Sequence, residues 1–192
     1  MKKLFLTLSI AVLLFCSCSN NETNDVQNRE TKISAVLNEK NYDTQKIMYR
    51  MLSNEDKLQI WQNKIDNMIL NDKLNKEQIN LIEDLRSNLT AELFDQKKNN
   101  DAREIFKNVY VKKFINKAQF LFKPEYFASN FYTLNNKVSF DTDKPDCTCN
   151  QSSIWSCAMQ SNDCQPSNKC DTTEDGCGFL GFSKCNGRCY VQ

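Results

Sequence analysis

The chain contains no histidine. That absence removes Ser-His-Asp and Cys-His catalytic arrangements and every imidazole metal ligand. Glycine is scarce as well: Gly176, Gly178, Gly181 and Gly187 are its only four residues, all near the C-terminus. Residues 19–146 have none, so no glycine-rich phosphate loop can form there. Proline occurs three times, and the stretch from Thr31 to Phe122 holds neither proline nor glycine. Beyond the first residues no apolar run approaches membrane-spanning length. Charge is balanced at a formal +1 over 192 residues, which argues against nucleic acid as a partner. The carboxylate pairs Glu55-Asp56 and Glu83-Asp84 fall on solvated helix faces or helix starts rather than in an acid–base site. The chain therefore reads as a non-enzyme without a cofactor.

What is present begins with a leader. Met1-Lys2-Lys3 supplies positive charge, and Leu4 to Phe15 is an almost unbroken apolar run, too short for a permanent span but suited to a signal peptide. The run ends in Phe15-Cys16-Ser17-Cys18, which resembles a bacterial lipobox. The resemblance implies a signal peptide over 1–17 and a diacylated Cys18 at the mature N-terminus. Cutting there removes Cys16, uses Cys18 for lipid and leaves an even set of cysteines to pair. Multiple acyl chains suffice for stable anchoring. The expected location is the cell envelope, with the bacterial membrane as a partner through the lipid anchor. Loss of Lys2 and Lys3 takes the mature chain to −1.

Residues 18–30 are polar and Asn-rich and read as a flexible tether. From Thr31 the apolar spacing turns helical. Ile33, Val36 and Leu37 make one face, and Ile47, Met48, Met51 and Leu52 another. Ser53-Asn54-Glu55-Asp56 is a capping start, followed by Leu58, Trp61, Ile65, Met68 and Ile69. Asn75-Lys76-Glu77-Gln78 is a capping box, followed by Ile79, Ile82, Leu85, Leu89 and Leu93. A third start near Asn100 or Asp101 opens a helix carrying Ile105, Phe106, Val109, Phe114 and Ala118, which Pro124 ends or interrupts. The pattern over 31–140 predicts a mainly α bundle of four to five helices. Its aromatic connector, Tyr126, Phe127, Phe131, Tyr132, Leu134, Val138 and Phe140, is expected to pack back on the helices.

Eight of the ten cysteines crowd into the last 46 residues: Cys147, Cys149, Cys157, Cys164, Cys170, Cys177, Cys185 and Cys189. In an exported chain this reads as a disulfide framework. The C-x2-C spacing of zinc knuckles is missing, which favours bridges over metal. Cys147 and Cys149 are too close in sequence to bridge each other, and the rest of the connectivity stays open. Residues 141–192 are expected to be a separate module with little regular structure, because so short a segment needs covalent staples. Asn186-Gly187 signals a turn between two short strands. Trp155, Phe179, Leu180 and Phe182 form either a candidate apolar contact face or the module's own small core. From Cys147 onward the tail holds three cations against four carboxylates, and so is slightly anionic.

The tail resembles that of the bacteriocin fulvocin C-related proteins. The shared features are Cys147-Thr148-Cys149, the well-spaced single cysteines, Gly176-Cys177-Gly178-x-x-Gly181, and the closing Cys185-Asn186-Gly187-Arg188-Cys189-Tyr190. The likeness covers about a quarter of the chain and rests on framework residues. It implies a bacteriocin-like, antimicrobial module that antagonises competing bacteria through a target-cell envelope component. The alternative is a non-toxic envelope lipoprotein using the module as a binding or structural head. A further reading makes the helical body an immunity or carrier partner for its own tail.

Overall fold

Capping side chains set the boundaries of several helices. The computed structural model describes residues 20–96, 101–134, 147–157, 163–166 and 170–189. Helix α1 spans Asn20–Asn38 and α2 spans Tyr42–Arg50, where the Asn41 side chain accepts from the Thr44 amide at 3.0 Å. Helix α3 covers Asn54–Asn71, and Ser53 Oγ accepts from the Asp56 amide at 3.1 Å. Helix α4 covers Lys76–Asn88 behind a reciprocal box in which Asn75 and Gln78 each accept from the other's amide at 2.9 Å. Both capping starts are thus the ones the sequence signals.

The flexible-tether reading of 18–30 gives way from Asn20 onward, where the chain is helical. Without proline or glycine nothing breaks the helix that Ile33 and Val36 dock, and Arg29 adds an ion pair to Asp56 of α3. The apolar face expected on α2 is also split. Leu52 and Met48 turn inward, while Ile47 and Met51 are 57% and 82% exposed. Their inward places are taken by Tyr42, Gln45 and Lys46.

After α4 a short 3-10 turn at Ala91–Phe94 buries Leu93 and Phe94, so Leu93 lies beyond the helix it was expected to extend. Helix α5, Asp101–Ile105, runs into a π-turn at Phe106–Val111 and on into α6, Lys112–Leu121. The π-turn shifts the buried face. Phe106 and Val111 point inward, and Ile105 and Val109, expected on the core side, are exposed. Helix α7, Pro124–Phe131, starts with proline at its first turn, where a missing N–H is harmless. It buries Phe127 and Phe131 completely, so this part of the aromatic connector does pack back on the bundle. Val138, Phe140 and the linker 141–146 lie outside the described residues, as does Cys18. The architecture is mainly α, followed by a disulfide-rich region with little regular structure.

That region has two antiparallel ribbons. Strand β1, Cys164–Pro166, pairs with β4, Gly187–Cys189, with Cys164 opposite Cys189. Strand β2, Thr173–Cys177, pairs with β3, Ser183–Cys185. Asn186-Gly187 therefore does not close a hairpin; it passes the chain from one ribbon to the other. Crowding requires glycine at this position: a Cβ on Gly187 would meet Cys164 Sγ at 2.6 Å and the Gln165 carbonyl at 2.7 Å. All eight cysteines are bridged: Cys147–Cys170, Cys149–Cys164, Cys157–Cys189 and Cys177–Cys185. Cys147 and Cys149 take different partners, as their sequence spacing requires.

Candidate functional site: the seam between helices and cysteine tail

The chain between β2 and β3 is a short loop forced into left-handed backbone. Gly178 has φ 69° and Leu180, which pays for that conformation with its Cβ, has φ 51°. A Cβ on Gly178 would also strike the Ser153 and Ser183 hydroxyls, each at 2.7 Å. The loop drives Phe179, Leu180 and Phe182 out of the cysteine region and into the helical core, where they are 3%, 1% and 4% exposed.

There the rings interlock with those of the helices. Phe179 lies 5.1 Å from Phe114 and 5.6 Å from Phe131 between ring centroids. Phe182 lies 5.1 Å from Phe94 and 5.8 Å from Phe106, and half-buried Trp155 meets Phe127 edge-on at 5.4 Å. Each buried phenylalanine contributes roughly 1.5–3 kcal/mol of transfer free energy. These four residues are thus neither an open contact face nor a private core of the tail. The described part of the disulfide-rich region shares one apolar core with the helices, where a core of its own was the simpler expectation. The bridges brace the tail's ribbons, but its large side chains are buried in the aromatic core of the helices.

Polar groups clamp the same seam. Arg103 of α5 pairs with Asp175 of β2 at 2.7 Å, with both side chains largely buried, and its guanidinium stacks 5.5 Å over the Phe182 ring. Burial pushes the Asp175 carboxyl up and the Arg103 charge opposes that shift. Arg50 donates to the Asp175 carbonyl at 3.1 Å, and Lys46 Nζ reaches the Cys147 carbonyl at 3.5 Å. The Tyr132 hydroxyl donates to the Ile154 carbonyl at 2.6 Å. Deeper in the body, Trp61 Nε1 donates to Tyr49 Oη at 2.8 Å, and burial raises the Tyr49 pKa. Lys64 is half-buried over Trp61 and donates to the Ser129 carbonyl at 2.7 Å; burial pulls its pKa down to about 7.

On one side the seam opens into a groove of about 420 Å³. Its helical wall includes Lys107, Val111, Lys112 and Ile115, and its tail wall includes Asn150, Ser152, Ser153 and Ser183, with Phe179 and Phe182 beneath. Asn150 fixes the tail wall. Its Nδ2 donates to the Lys184 carbonyl at 2.7 Å, and its Oδ1 accepts from the Ser152 amide at 3.0 Å and from Ser153 Oγ at 3.1 Å. Two further cavities along the seam, about 40 and 30 Å³, have room for little more than water.

The sulfurs of Cys149, Cys157 and Cys164 lie within 4.8 Å of one another, close enough for metal ligation in principle. Each is spent in a bridge and offers no thiolate. Sequence reasoning did not single out Arg103, Asp175, Lys46 or the groove lysines. No sequence signal marked the π-turn that builds the groove wall, because Val109 and Tyr110 fill the interval between the buried Phe106 and Val111.

The chain matches no family model, no curated protein and no solved structure. Four disulfides mark it as a protein of an oxidising, exported compartment. Among the described residues no helix is long and apolar enough to cross a membrane.

Proposed function

We propose that the protein is an exported lipoprotein, held in the cell envelope by acylated Cys18, whose disulfide-braced tail is a fixed recognition head on a helical body. The head would engage an envelope component without catalysis. The observation that carries this reading is the burial of Phe179, Leu180 and Phe182 among the helical aromatics. A tail freed as a bacteriocin would have to bring those three side chains into water, at a cost of several kcal/mol. The fulvocin-like cysteine pattern then reflects a shared framework, put here to display rather than release. The start of helix α1 suits the tether position: residues 20–28, ahead of the docked Arg29, Ile33 and Val36, span about 13 Å and would hold the body off the membrane.

Mass spectrometry of the native protein tests this. The reading predicts an acylated Cys18, four bridges and an uncut chain in the membrane fraction. A free fragment near 147–192 in the medium, inhibiting related strains, would overturn it in favour of a releasable antibacterial.

A further inference from the structure

The helix that runs from Asp101 to Leu121 changes pitch at Phe106–Val111. Its i→i+5 bonding brings residues five apart onto one face, so Lys107 and Lys112 share a wall of the groove; α-helical winding would turn them apart. Turns of this kind are rare and are frequently found at functional sites. Across from the two lysines the tail wall holds Ser152, Ser153 and Ser183; Ser153 Oγ donates to Asn150 Oδ1 and, with the Ser183 hydroxyl, lies against Gly178. No carboxylate lines the groove among the described residues. The acid beside it is Glu104, outside the lining, which pairs with Lys107 at 3.2 Å and accepts from Asn108 Nδ2 at 3.1 Å.

We infer that this groove binds an anionic sugar, a sugar ring carrying a carboxylate or a phosphate. The two ammonium groups meet the anion through charge-assisted hydrogen bonds. The Ser152 hydroxyl and the Asn116 amide pair with ring hydroxyls, and Val111 and Ile115 cover the C–H face. The groove's roughly 420 Å³ falls within the range of small-molecule sites. Glu104 competes with the ligand for Lys107, so it tunes affinity without touching the sugar. This inference rests on the fixed-head reading, because one wall belongs to the tail.

The test titrates the intact, oxidised, isotope-labelled chain with four probes: a glucuronic-acid disaccharide, glucose-1-phosphate, maltose and inorganic phosphate. Amide shifts at Lys107–Asn116 and Asn150–Ser153 are expected with at least one of the two anionic sugars, and the responder identifies the anion. Lys112→Met should weaken binding about tenfold, and Glu104→Gln should tighten it. Silence from both anionic sugars overturns the inference. So does an equal response to maltose or inorganic phosphate, or an affinity indifferent to Lys112→Met. The Phe179 and Leu180 amides report separately on the seam. A non-binding protein with native shifts there sinks the sugar site alone. Loss of those shifts in the unmodified chain sinks the fixed head and the groove with it.

Discussion

Phe179 of the cysteine tail and Phe114 of α6 lie 5.1 Å apart between ring centroids, both almost wholly buried and 65 residues apart in sequence. This pair joins two regions that look unrelated in the amino-acid sequence. It makes the stability of the tail a property of the whole chain.

Truncating that contact should be felt in both regions. Phe179→Ala is expected to lose about 3–5 kcal/mol, the usual range for emptying a phenylalanine site. Urea unfolding followed by far-ultraviolet circular dichroism should show the helices and the tail losing stability together. A loss confined to the tail would contradict the shared core.

The Arg103–Asp175 pair gives a second prediction. Arg103→Met leaves the Asp175 carboxylate without its main counter-charge in a largely dry seam and should destabilise by about 3 kcal/mol. Arg103→Met combined with Asp175→Leu should recover most of that loss, because no orphan charge remains. A double-mutant cycle in urea measures the coupling. Purely additive losses would mean that the pair is not coupled.

Lys64 sets a pH dependence. Its folded pKa, pulled to about 7, lies below the ordinary 10.5, so the unfolded chain binds the proton more tightly between those values. Stability tied to Lys64 is fully present above pH 10.5 and is lost as pH falls toward 7. The urea midpoint should therefore climb from pH 7 to 9, below the range where Tyr49 and the other tyrosines with raised pKa values matter. Lys64→Met should flatten the climb. A midpoint that falls over that interval would contradict the assignment.

The bridges should rank by the loop each one closes. Cys157–Cys189 spans 32 residues and Cys177–Cys185 only 8. Removing the longer bridge by paired alanine substitution should destabilise by about 1 kcal/mol more than removing the shorter one. Thermal unfolding of the two double variants provides the comparison.

The sequence made much of this fold legible, for identifiable reasons. Ser53 and Asn75 mark helix starts because capping is local chemistry, and an even cysteine count in an exported tail marks bridges. The helical continuation before Thr31 was not legible, because polar residues without an apolar stripe give no periodic signal. The exposed Ile47 and Met51 misled for the opposite reason, since apolar spacing on a short helix cannot say which side meets a neighbour. The π-turn moved the buried face by a residue, which a 3.6-residue period cannot anticipate. The seam itself was the least legible part. That Phe179, Leu180 and Phe182 enter the helical core depends on the backbone turn at Gly178 and Leu180 and on the long-range match with Phe94, Phe106 and Phe114. Composition only suggested that a small module would keep its apolar residues for itself.

The most direct test of the shared core is to cut the chain between body and tail. A specific protease site placed within 141–146 of the oxidised protein would be cleaved, and the product passed over a size-exclusion column without denaturant. The account predicts that residues 147–192 stay with the helices, eluting as one species until urea unfolds both together. Elution of the tail as a separate folded peptide, with the helices left intact, would contradict it.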